Sequence, residues 1–424
     1  MKKHLLLLGL TAVTLGYTNA QTMGNTDTKS TQDSIEKPME EAVVIGYATA
    51  KKKDLTGSIA SIKGAEIMQQ PVLTASQALQ SKMAGVQITN SGAPGSAPNV
   101  RIRGTGSVIG GAEPLYVVDG IITDDIRNIN TADILTIDVL KDASSTAIYG
   151  VRAANGVILI TTKKGKKGKT RFSGGVAQGA GSVPHFMKMM NTQQYLAMRA
   201  EAFVNDGITE YPESAYDING TWDQNRSTNW QKELMGGTSK ITNINGSVSG
   251  GSEQTQFMVS GTYGKETTVL AGDFGYNRVN VRSSITHAST DRRFKMSFTG
   301  GYGIQDNKQP STDLTTEAWR LAPNAPALYD AEGNLNWENN TFENPLRYLE
   351  GLSQSNTHDL VANTTLSYSL FDNIEIKSSF GYTDLNHHES STFPSTLYNP
   401  AEGVGSEVSN IYYTDTARQS WIVE

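Results

Sequence analysis

The chain has 424 residues, a formal net charge of −6 and no cysteine. The absence of cysteine excludes a disulfide framework, and the mildly acidic total argues against a nucleic acid partner. The length is sufficient for more than one folded core, although only 37% of the residues are hydrophobic and 41 are glycine.

The first 40 residues have the features of an export signal and a polar leader. Lys2 and Lys3 precede an apolar run at residues 5–15, and small residues lie before Gln21. This order predicts a secretory signal peptide over residues 1–20; a buried N-terminal helix is the alternative. Residues 21–40 are polar and contain too little apolar surface to fold, so we interpret them as a disordered leader.

Residues 41–48 contain a short β-prone run that is followed by three lysines at positions 51–53. The run has no possible hairpin partner upstream. A lone strand of this kind is typically completed by another chain or by a distant part of its own chain. The run consists of Ala42, Val43, Val44, Ile45, Gly46 and Tyr47.

Residues 49–164 have the mixed pattern of one compact α+β domain. Apolar runs and period-two alternation predict strands at residues 55–62, 85–89, 100–104, 114–121 and 156–162, and a short helix at residues 75–83. A second short helix is expected over residues 143–149, with Asp142 as its cap and Gly150 as its end. Residues 165–169 are basic and predict a solvated linker.

From residue 170 onward, strands alternate strictly between an apolar and a polar face. Phe257, Val259 and Tyr263 alternate with Gln256, Ser260 and Thr262, for example. The other alternating sets are Val279, Val281 and Ile285 against Arg278, Asn280, Arg282 and Ser284; Phe294, Met296, Phe298 and Tyr302 against Lys295, Ser297 and Thr299; and Ile374, Ile376, Phe380 and Tyr382 against Glu375, Lys377 and Ser379.

The connections between these strands alternate in length. Short turns are expected near residues 250–253, 287–292 and 371–373, a medium connection near 265–275, and long loops at 180–240, 305–357 and 385–409. This pattern indicates an antiparallel transmembrane β-barrel, of which about eight strands are present in residues 170–424. No apolar run after the signal peptide approaches the roughly 18 residues of a membrane helix. A soluble β-sandwich also alternates and is the alternative.

No motif predicts an enzyme, a cofactor or a metal. The glycine-rich residues 104–111 are followed by a strand rather than by the helix that a nucleotide loop requires. His387, His388 and Glu389 lie in a predicted long loop and lack zinc-site spacing. Aromatic and Asn-rich stretches at residues 211–230 and 319–348 are suited either to holding sugars or peptides or to ordinary loop packing.

Four segments, in this order, carry a family resemblance: VVIGY at residues 43–47 with KKKDLTGS at 51–58; VRIRG at 100–104; PLYVVDG at 114–120; and VLKDASS at 139–145 with IYG and RAANGVI up to residue 158. Residues 343–350 resemble the barrel part of the same family. The chain from residue 41 onward resembles the SusC/RagA family of TonB-linked outer-membrane transporters. The family's barrel has 22 strands, so this chain is expected to represent its N-terminal portion; the family's frequent immunoglobulin-like extension is absent.

The resemblance implies a mechanism. Residues 49–164 would be a plug that blocks the barrel lumen, and Ala42–Tyr47 would be the TonB box, a handle that pairs edge to edge with a strand of TonB. The implied function is TonB-dependent import of a large oligosaccharide or oligopeptide across the outer membrane of a Bacteroidetes-type Gram-negative cell. A non-transporting surface receptor or adhesin on a β scaffold is the alternative.

The resemblance also implies partners and signature residues. The partners are TonB with its inner-membrane energising complex, a SusD-like surface lipoprotein and outer-membrane lipid. Arg101 and Arg103 are expected to lock the plug by pairing with barrel-wall carboxylates beyond Glu424. The remaining plug signature residues are Gly104, Asp119, Gly120, Lys141, Asp142, Tyr149 and Gly150.

Overall fold

The computed structural model describes residues 42–45, 48–51, 59–69, 74–104, 111–123, 126–142 and 146–424. The predicted signal peptide and leader lie outside the described residues, as do Gly46 and Tyr47. The first element is an antiparallel pair of strands, β1 (Ala42–Ile45) and β2 (Ala48–Lys51), with Ala42 opposite Lys51. The β-prone run is therefore a strand, but it has a partner immediately downstream, whereas a lone strand was expected.

Residues 59–162 build the domain that the resemblance identifies as a plug, and we call it the plug. Its main sheet has five strands in the order β3-β8-β9-β6-β7, in which β6 and β9 run parallel and the other pairs antiparallel. These strands are β3 (Ile59–Lys63), β6 (Leu115–Val118), β7 (Ile121–Thr123), β8 (Ile134–Leu140) and β9 (Val157–Thr162). A second sheet pairs β4 (Val86–Thr89) with β5 (Asn99–Ile102).

Two short helices cover the plug core. Helix α1 spans Gly64–Ile67 and α2 spans Ala75–Leu79. A reciprocal capping box begins α2, since the Thr74 hydroxyl accepts a hydrogen bond from the Gln77 backbone N–H, and the Gln77 side chain accepts one from the Thr74 backbone N–H. The helix ends at Leu79, four residues before the predicted end. Ile67 and Leu79 are fully buried against Ile137 and Ile160 of the main sheet.

Two glycines shape the plug near its signature motifs. Asp119 and Gly120 join β6 to β7 in a two-residue turn, with φ of 48° and 92°; positive φ at both central residues is the hairpin geometry that Asp-Gly favours. Gly150 lies inside a 3-10 segment that spans Ala147–Ala153. Its φ of 65° and ψ of −156° are non-helical and divide the segment into two helical pieces, so the first piece ends at Gly150 as expected; residues 143–145 lie outside the described part.

The remaining strands form one antiparallel sheet in sequence order, which we call the wall. They are β10 (Gly168–Gly181), β11 (Ser239–Gly251), β12 (Thr255–Thr267), β13 (Gly275–Ala288), β14 (Phe294–Pro310), β15 (Leu352–Phe371), β16 (Ile374–Phe393) and β17 (Asn410–Val423). Within the described residues the outer strands β10 and β17 pair on one side only, so the sheet is an open part of a barrel. The eight predicted strands and their short and long connections are confirmed.

Two of the long loops are shorter than expected. Strand β14 continues to Pro310 and β15 begins at Leu352, so the loop between them covers residues 311–351. Strand β16 continues to Phe393, which places His387, His388 and Glu389 on a strand; their assignment to a loop is wrong. There, the His387 ring bonds to the Thr357 hydroxyl at 2.7 Å and the His388 ring to Asp415 at 2.6 Å. No group of three His, Cys, Asp or Glu residues in the described part is placed to hold a metal ion.

The apolar faces of the wall strands point outward and are exposed. On β13, Val279 and Val281 are 46% and 52% exposed, whereas Arg278 and Asn280, which alternate with them, are 1% and 7% exposed. A soluble β-sandwich packs its apolar faces against each other, so this arrangement excludes that alternative. It is the arrangement of a barrel wall with lipid outside and polar contacts inside. Across the described residues, no helix is long and apolar enough to cross a membrane.

An aromatic belt marks one limit of the outward apolar face. Tyr302, Tyr382 and Trp421 project outward from β14, β16 and β17, and the rings of Tyr382 and Trp421 are 4.6 Å apart. Beyond this belt, toward the long connections, outward positions become polar and include Asp384 and His388. Such belts lie at the membrane interface of barrels, so the polar ends of these strands stand outside the hydrocarbon layer.

The long connections pack into a layer of their own at that end. Residues 182–238 contain helices α3 (Thr192–Asn205) and α4 (Trp230–Met235), and residues 311–351 contain α5 (Thr315–Arg320). Trp230 and Phe342 are buried in one apolar cluster that joins the two connections, and Trp222 packs edge to face on Phe342 at 6.1 Å. These three aromatic side chains therefore serve loop packing.

Candidate functional site

The candidate site is the contact between the plug and the inner face of the wall, because ionic and polar groups of the two parts are buried against each other there. Its centre is Asp119. One carboxylate oxygen accepts from the Thr162 backbone N–H at 2.9 Å, and the other accepts from the Thr162 hydroxyl at 2.7 Å. Arg282 of β13 forms an ion pair with the same carboxylate. The turn thus holds a buried anion against a wall cation.

A second set of contacts comes from the chain that leads into β8. Asn128 donates to Asp359 of β15 at 3.1 Å, and its carbonyl accepts from Asn280 of β13 at 2.8 Å. Asn130 donates to Thr262 of β12, and Asp133 accepts from the Ser260 hydroxyl at 2.7 Å. We call the contacts of Asp119, Asn128, Asn130 and Asp133 with the wall the plug–wall clamp.

Glycines on both sides allow the two surfaces to approach. A Cβ on Gly303 of β14 would lie 2.5 Å from the Asn128 side chain. A Cβ on Gly95 of the plug would lie 2.4 Å from the ring of Tyr276, which is buried on β13. Distances below 3.0 Å are incompatible with a side chain, so the close fit at these points depends on glycine.

Burial changes the pKa of one carboxyl group in the clamp. Asp133 is buried, and removal from water raises the pKa of its carboxyl above the ordinary value of 3.8, although the hydrogen bond from Ser260 and the charges of Arg282 and Lys163 act in the opposite direction. Asp119, in contrast, has a cation in direct contact. The clamp therefore contains one ion-paired carboxylate and one whose partner is a neutral hydroxyl.

The predicted arginine lock has a different partner within the described residues. Arg103 forms an ion pair of 2.5 Å with Asp142, which also belongs to the plug signature. Arg103 and Gly104 have φ of 59° and 92°, so the chain turns sharply here. Lys141 donates to the backbone carbonyl of Ala84. Pairing of Arg101 or Arg103 with a carboxylate of the wall stays a prediction.

The wall residues of the clamp were not singled out as site residues from sequence. Arg278, Asn280 and Arg282 were assigned to the polar face of β13, and two arginines on a face that points into a protein are themselves a signal. Buried arginines require acceptors, and the plug supplies one to each of them: the Asp119 carboxylate to Arg282, and the Arg127 carbonyl at 2.8 Å to Arg278. Of the predicted signature residues, Asp119 and Gly120 lie at the clamp.

Comparison with known proteins places this geometry in a family. A family model described as the TonB-dependent receptor plug domain matches residues 51–157. The chain is 32% identical over 396 residues to TonB-dependent receptor P3 of Formosa agariphila, which covers 90% of this chain and 37% of that protein. It is 30% identical over 369 residues to TonB-dependent receptor SusC of Bacteroides thetaiotaomicron, which covers 78% of this chain and 35% of that protein.

Solved structures agree with the sequence relatives. The RagAB peptide importer in its open-open state matches with a TM-score of 0.69 and 24% identity, over 84% of this chain and 43% of that chain. The closed-closed state matches with a TM-score of 0.67 and 25% identity, over 81% and 43%. The chain spans well under half the length of the curated relatives it matches. The chain belongs to the SusC/RagA family of TonB-dependent receptors, with a plug followed by eight wall strands of a transmembrane β-barrel.

Proposed function

We propose that the protein imports a nutrient too large for porins across the bacterial outer membrane, with TonB supplying the work that displaces part of the plug. The observation that carries this proposal is the buried Asp119–Arg282 pair inside a wall whose apolar face points outward. Moving the plug away from the wall breaks this buried ion pair and the hydrogen bonds around it, so we expect passage to require an external pull.

The handle for that pull is the TonB box, Ala42–Tyr47. Strand β1 pairs with β2 along one edge, and no strand among the described residues pairs with its other edge, which is available to a strand from TonB. Edge pairing depends on backbone N–H and C=O groups rather than on particular side chains. The domain limits that we propose are the box, the plug at residues 49–164, a linker at 165–167 and the wall from Gly168, where β10 begins two residues before the start expected from sequence.

Deletion of residues 42–47 tests the handle. Uptake is expected to fall to the level of cells that lack TonB, while binding of cargo at the surface is retained. A deletion of equal length within the leader, residues 27–32, leaves the box intact and is the matched control, expected to import normally. Unchanged uptake without the box would contradict the proposal.

A single backbone hydrogen bond can be tested in the same assay. Val44→Pro removes one N–H from the strand and is expected to abolish TonB-dependent uptake. Val44→Thr keeps the N–H and the β-branched shape and is expected to retain it. Equal uptake by the two variants would show that the box does not act through strand pairing.

Partners and cargo follow from the family and are proposed for the whole protein. The partners are TonB with its inner-membrane energising complex, a SusD-like surface lipoprotein and the lipid of a Bacteroidetes-type outer membrane. The cargo class is an oligosaccharide or an oligopeptide; the matching RagAB structures are described as a peptide importer. A non-transporting receptor or adhesin is the second candidate, and it predicts function that is independent of TonB.

A further inference from the structure

A concave site rich in aromatic rings lies at the end of the wall that carries the long connections, where the connection at residues 311–351 meets the end of β16. We call it the aromatic pocket. Its lining residues are Thr312, Arg347, Tyr348, Phe393, Leu397, Tyr398, Asn410 and Tyr412. Four of these side chains are aromatic, and the others, apart from Leu397, carry a hydroxyl, amide or guanidinium group.

The pocket belongs to the inner face of the wall. Phe393 of β16 is an even number of residues beyond Gly381, and the pairing of β16 with β15 is unbroken between them, so both lie on the same face. Gly381 faces the plug, since a Cβ on it would lie 3.5 Å from Ile121 Cδ1. At about 3.3 Å per residue, Phe393 is about 40 Å further along the strand. A solute that enters from the side of the long connections therefore meets the pocket before it meets the plug.

The connection at residues 311–351 supplies one wall of the pocket. A short 3-10 turn begins there at Asn344, which is fully buried and accepts a hydrogen bond from the Leu346 backbone N–H at 3.0 Å. Leu346 packs into the apolar cluster of the long connections. This anchoring places the next two residues, Arg347 and Tyr348, at the pocket.

Residues 394–409 supply the opposite wall. Leu397 and Tyr398 lie at the end of a 3-10 turn there. The neighbouring Asn399 is 5% exposed, and its amide donates to the Asn340 side chain at 2.8 Å, which ties the two connections together. Because buried asparagines hold both walls, the pocket is formed before a ligand binds, and binding does not have to order the loops.

Within the described part of the chain, the charge of the pocket is balanced. Arg347 is the one charged residue of the lining, and it forms an ion pair with Glu343. The Arg347 guanidinium also lies over the Tyr348 ring, 4.9 Å from its centroid, and donates to the Tyr348 hydroxyl at 3.1 Å. An anionic ligand would have to displace Glu343, so the pocket favours an uncharged ligand.

An exposed ring beside polar groups suits a sugar. Tyr398 is 41% exposed, and no ring of the described residues packs on it. One face of a sugar ring presents C–H groups that pack on an aromatic ring, while the hydroxyls at its rim bond to groups such as the Asn410 amide and the Thr312 hydroxyl. Peptides are typically bound by pairing with a strand edge, and β16 at the pocket is paired on both edges.

We propose that the aromatic pocket binds a neutral oligosaccharide, with one sugar ring stacked on Tyr398. The proposal rests on the proposed transport function and selects the saccharide from its two cargo classes. Asn410 and Thr312 supply hydrogen bonds to the sugar, and the stacked pair of Arg347 and Tyr348 forms a rigid back wall.

Binding by the whole protein, purified in detergent, tests the pocket. The probes are hexasaccharides of neutral glucan, xylan and mannan, and octapeptides of mixed sequence, each titrated by calorimetry. Tyr398→Ala is expected to lower the affinity for the bound saccharide about tenfold or more, because it removes the stacking ring. Tyr398→Phe keeps the ring and is expected to retain the affinity, which also separates loss of stacking from loss of folding.

Tyr329→Ala is the matched control. Tyr329 is 53% exposed in the connection at residues 311–351 but does not line the pocket, so this variant is expected to bind like the parent. The affinity for a neutral saccharide should also be the same in about 0.05 M and about 0.5 M salt. Strong weakening by salt would show that Arg347 recognises a charged ligand, and would contradict the neutral class.

Binding of peptides but of no saccharide, or of neither probe, would overturn the proposal. Equal losses in Tyr398→Ala and Tyr329→Ala, or a full loss in Tyr398→Phe, would overturn stacking on Tyr398. Uptake of the fluorescein-labelled probes, with and without TonB, separates the two proposals. Saccharide binding at the pocket without TonB-dependent uptake means that the transport function fails. TonB-dependent uptake of a peptide without saccharide binding means that the function stands and the pocket assignment fails.

Discussion

Arg282 of the wall and Asp119 of the plug form a buried ion pair although they are 163 positions apart in the chain. Their side chains are 17% and 5% exposed. The pair joins the hairpin of the Val-Val-Asp-Gly motif to the polar face of a lipid-exposed strand. It therefore couples the two domains directly, and its removal is the simplest way to loosen the plug.

Arg282→Met is expected to destabilise the seated plug by about 3–5 kcal/mol, because the Asp119 carboxylate stays buried without its cation. The measurement is the denaturant concentration at which protease cuts the plug in detergent-solubilised protein. Lys295→Met is the matched control. Its partner is Glu375, and the two side chains are 54% and 47% exposed, so an effect of about 0–1 kcal/mol is expected. Equal effects would contradict the clamp.

Asp133→Asn is expected to change the pH dependence of plug seating. Burial raises the pKa of Asp133, so the folded protein binds this proton more tightly than the unfolded chain does. Its contribution to stability is therefore largest below pH 3.8 and is lost as the pH rises through the folded pKa. The amide removes this titration.

At neutral pH the Asp133→Asn variant is expected to be at least as stable as the parent, and the difference should vanish below pH 3.8. Protease access to the plug, measured across the pH range, checks this. Asp291→Asn is the control of opposite sign, because the Ser289 hydroxyl lowers the pKa of Asp291 in an exposed turn. A stability difference that does not depend on pH would contradict the assignment for Asp133.

Gly303→Ala is expected to displace Asn128 from the clamp, since the new Cβ would lie 2.5 Å from its side chain. Overpacking of this kind typically costs about 1–3 kcal/mol. Gly261→Ala is the control, because the nearest atom to its Cβ is the Asn280 carbonyl oxygen at 3.9 Å. Protease access to the plug should increase in the first variant alone; identical behaviour of both would show that Asn128 does not depend on close approach.

Tyr195→Phe is expected to loosen the connection at residues 182–238. The Tyr195 hydroxyl donates to Asp217 at 2.8 Å, and Arg199 donates to the same oxygen at 2.6 Å. Loss of a hydrogen bond to a charged group costs about 1.5–3 kcal/mol. Cleavage of this connection by external protease on whole cells is the measurement. Tyr211→Phe is the control, because Tyr211 is exposed and keeps its ring contact with Phe203.

The stability of the connection at residues 182–238 is also expected to depend on pH, because Tyr195 and Asp217 titrate. Burial acts to raise the pKa of Asp217, but the hydrogen bonds from Arg199 and Tyr195 outweigh it, so the pKa lies below 3.8. The stabilisation is present above pH 3.8 and is lost as the pH falls through the folded pKa. Burial and Asp217 raise the pKa of Tyr195 to about 12, so this contribution persists in moderate alkali. Cleavage that stays constant in strong acid would contradict this account.

The alternation of apolar and polar residues predicted the wall because lipid and plug impose opposite chemistry on its two faces. Val279 and Arg282 are assigned to the correct faces by this rule alone. This alternation is lost where both faces of a wall strand are in contact with water. His387 and His388 lie beyond the aromatic belt, where no apolar residue is required outside, so their strand resembles a loop in sequence.

The plug was harder to predict because its central strands are buried, so their residues do not alternate between apolar and polar. Strand β8, Ile134–Leu140, is buried on most of its length between β3 and β9, so its sequence carries no clear period and was not predicted. The Asp119–Arg282 ion pair also could not be predicted from the sequence. Each residue had been placed correctly, in a turn and on a polar face, but their pairing depends on how the plug sits within the wall.

The length of the wall strands has a consequence for what meets the cell surface. Strand β16 has 20 residues and extends about 65 Å at about 3.3 Å per residue. At the usual tilt, an apolar band about 25 Å tall takes up about 30–35 Å of strand, roughly half of that length. The rest of β16 therefore extends beyond the hydrocarbon layer on the side of the long connections, so both faces of the strand meet water there.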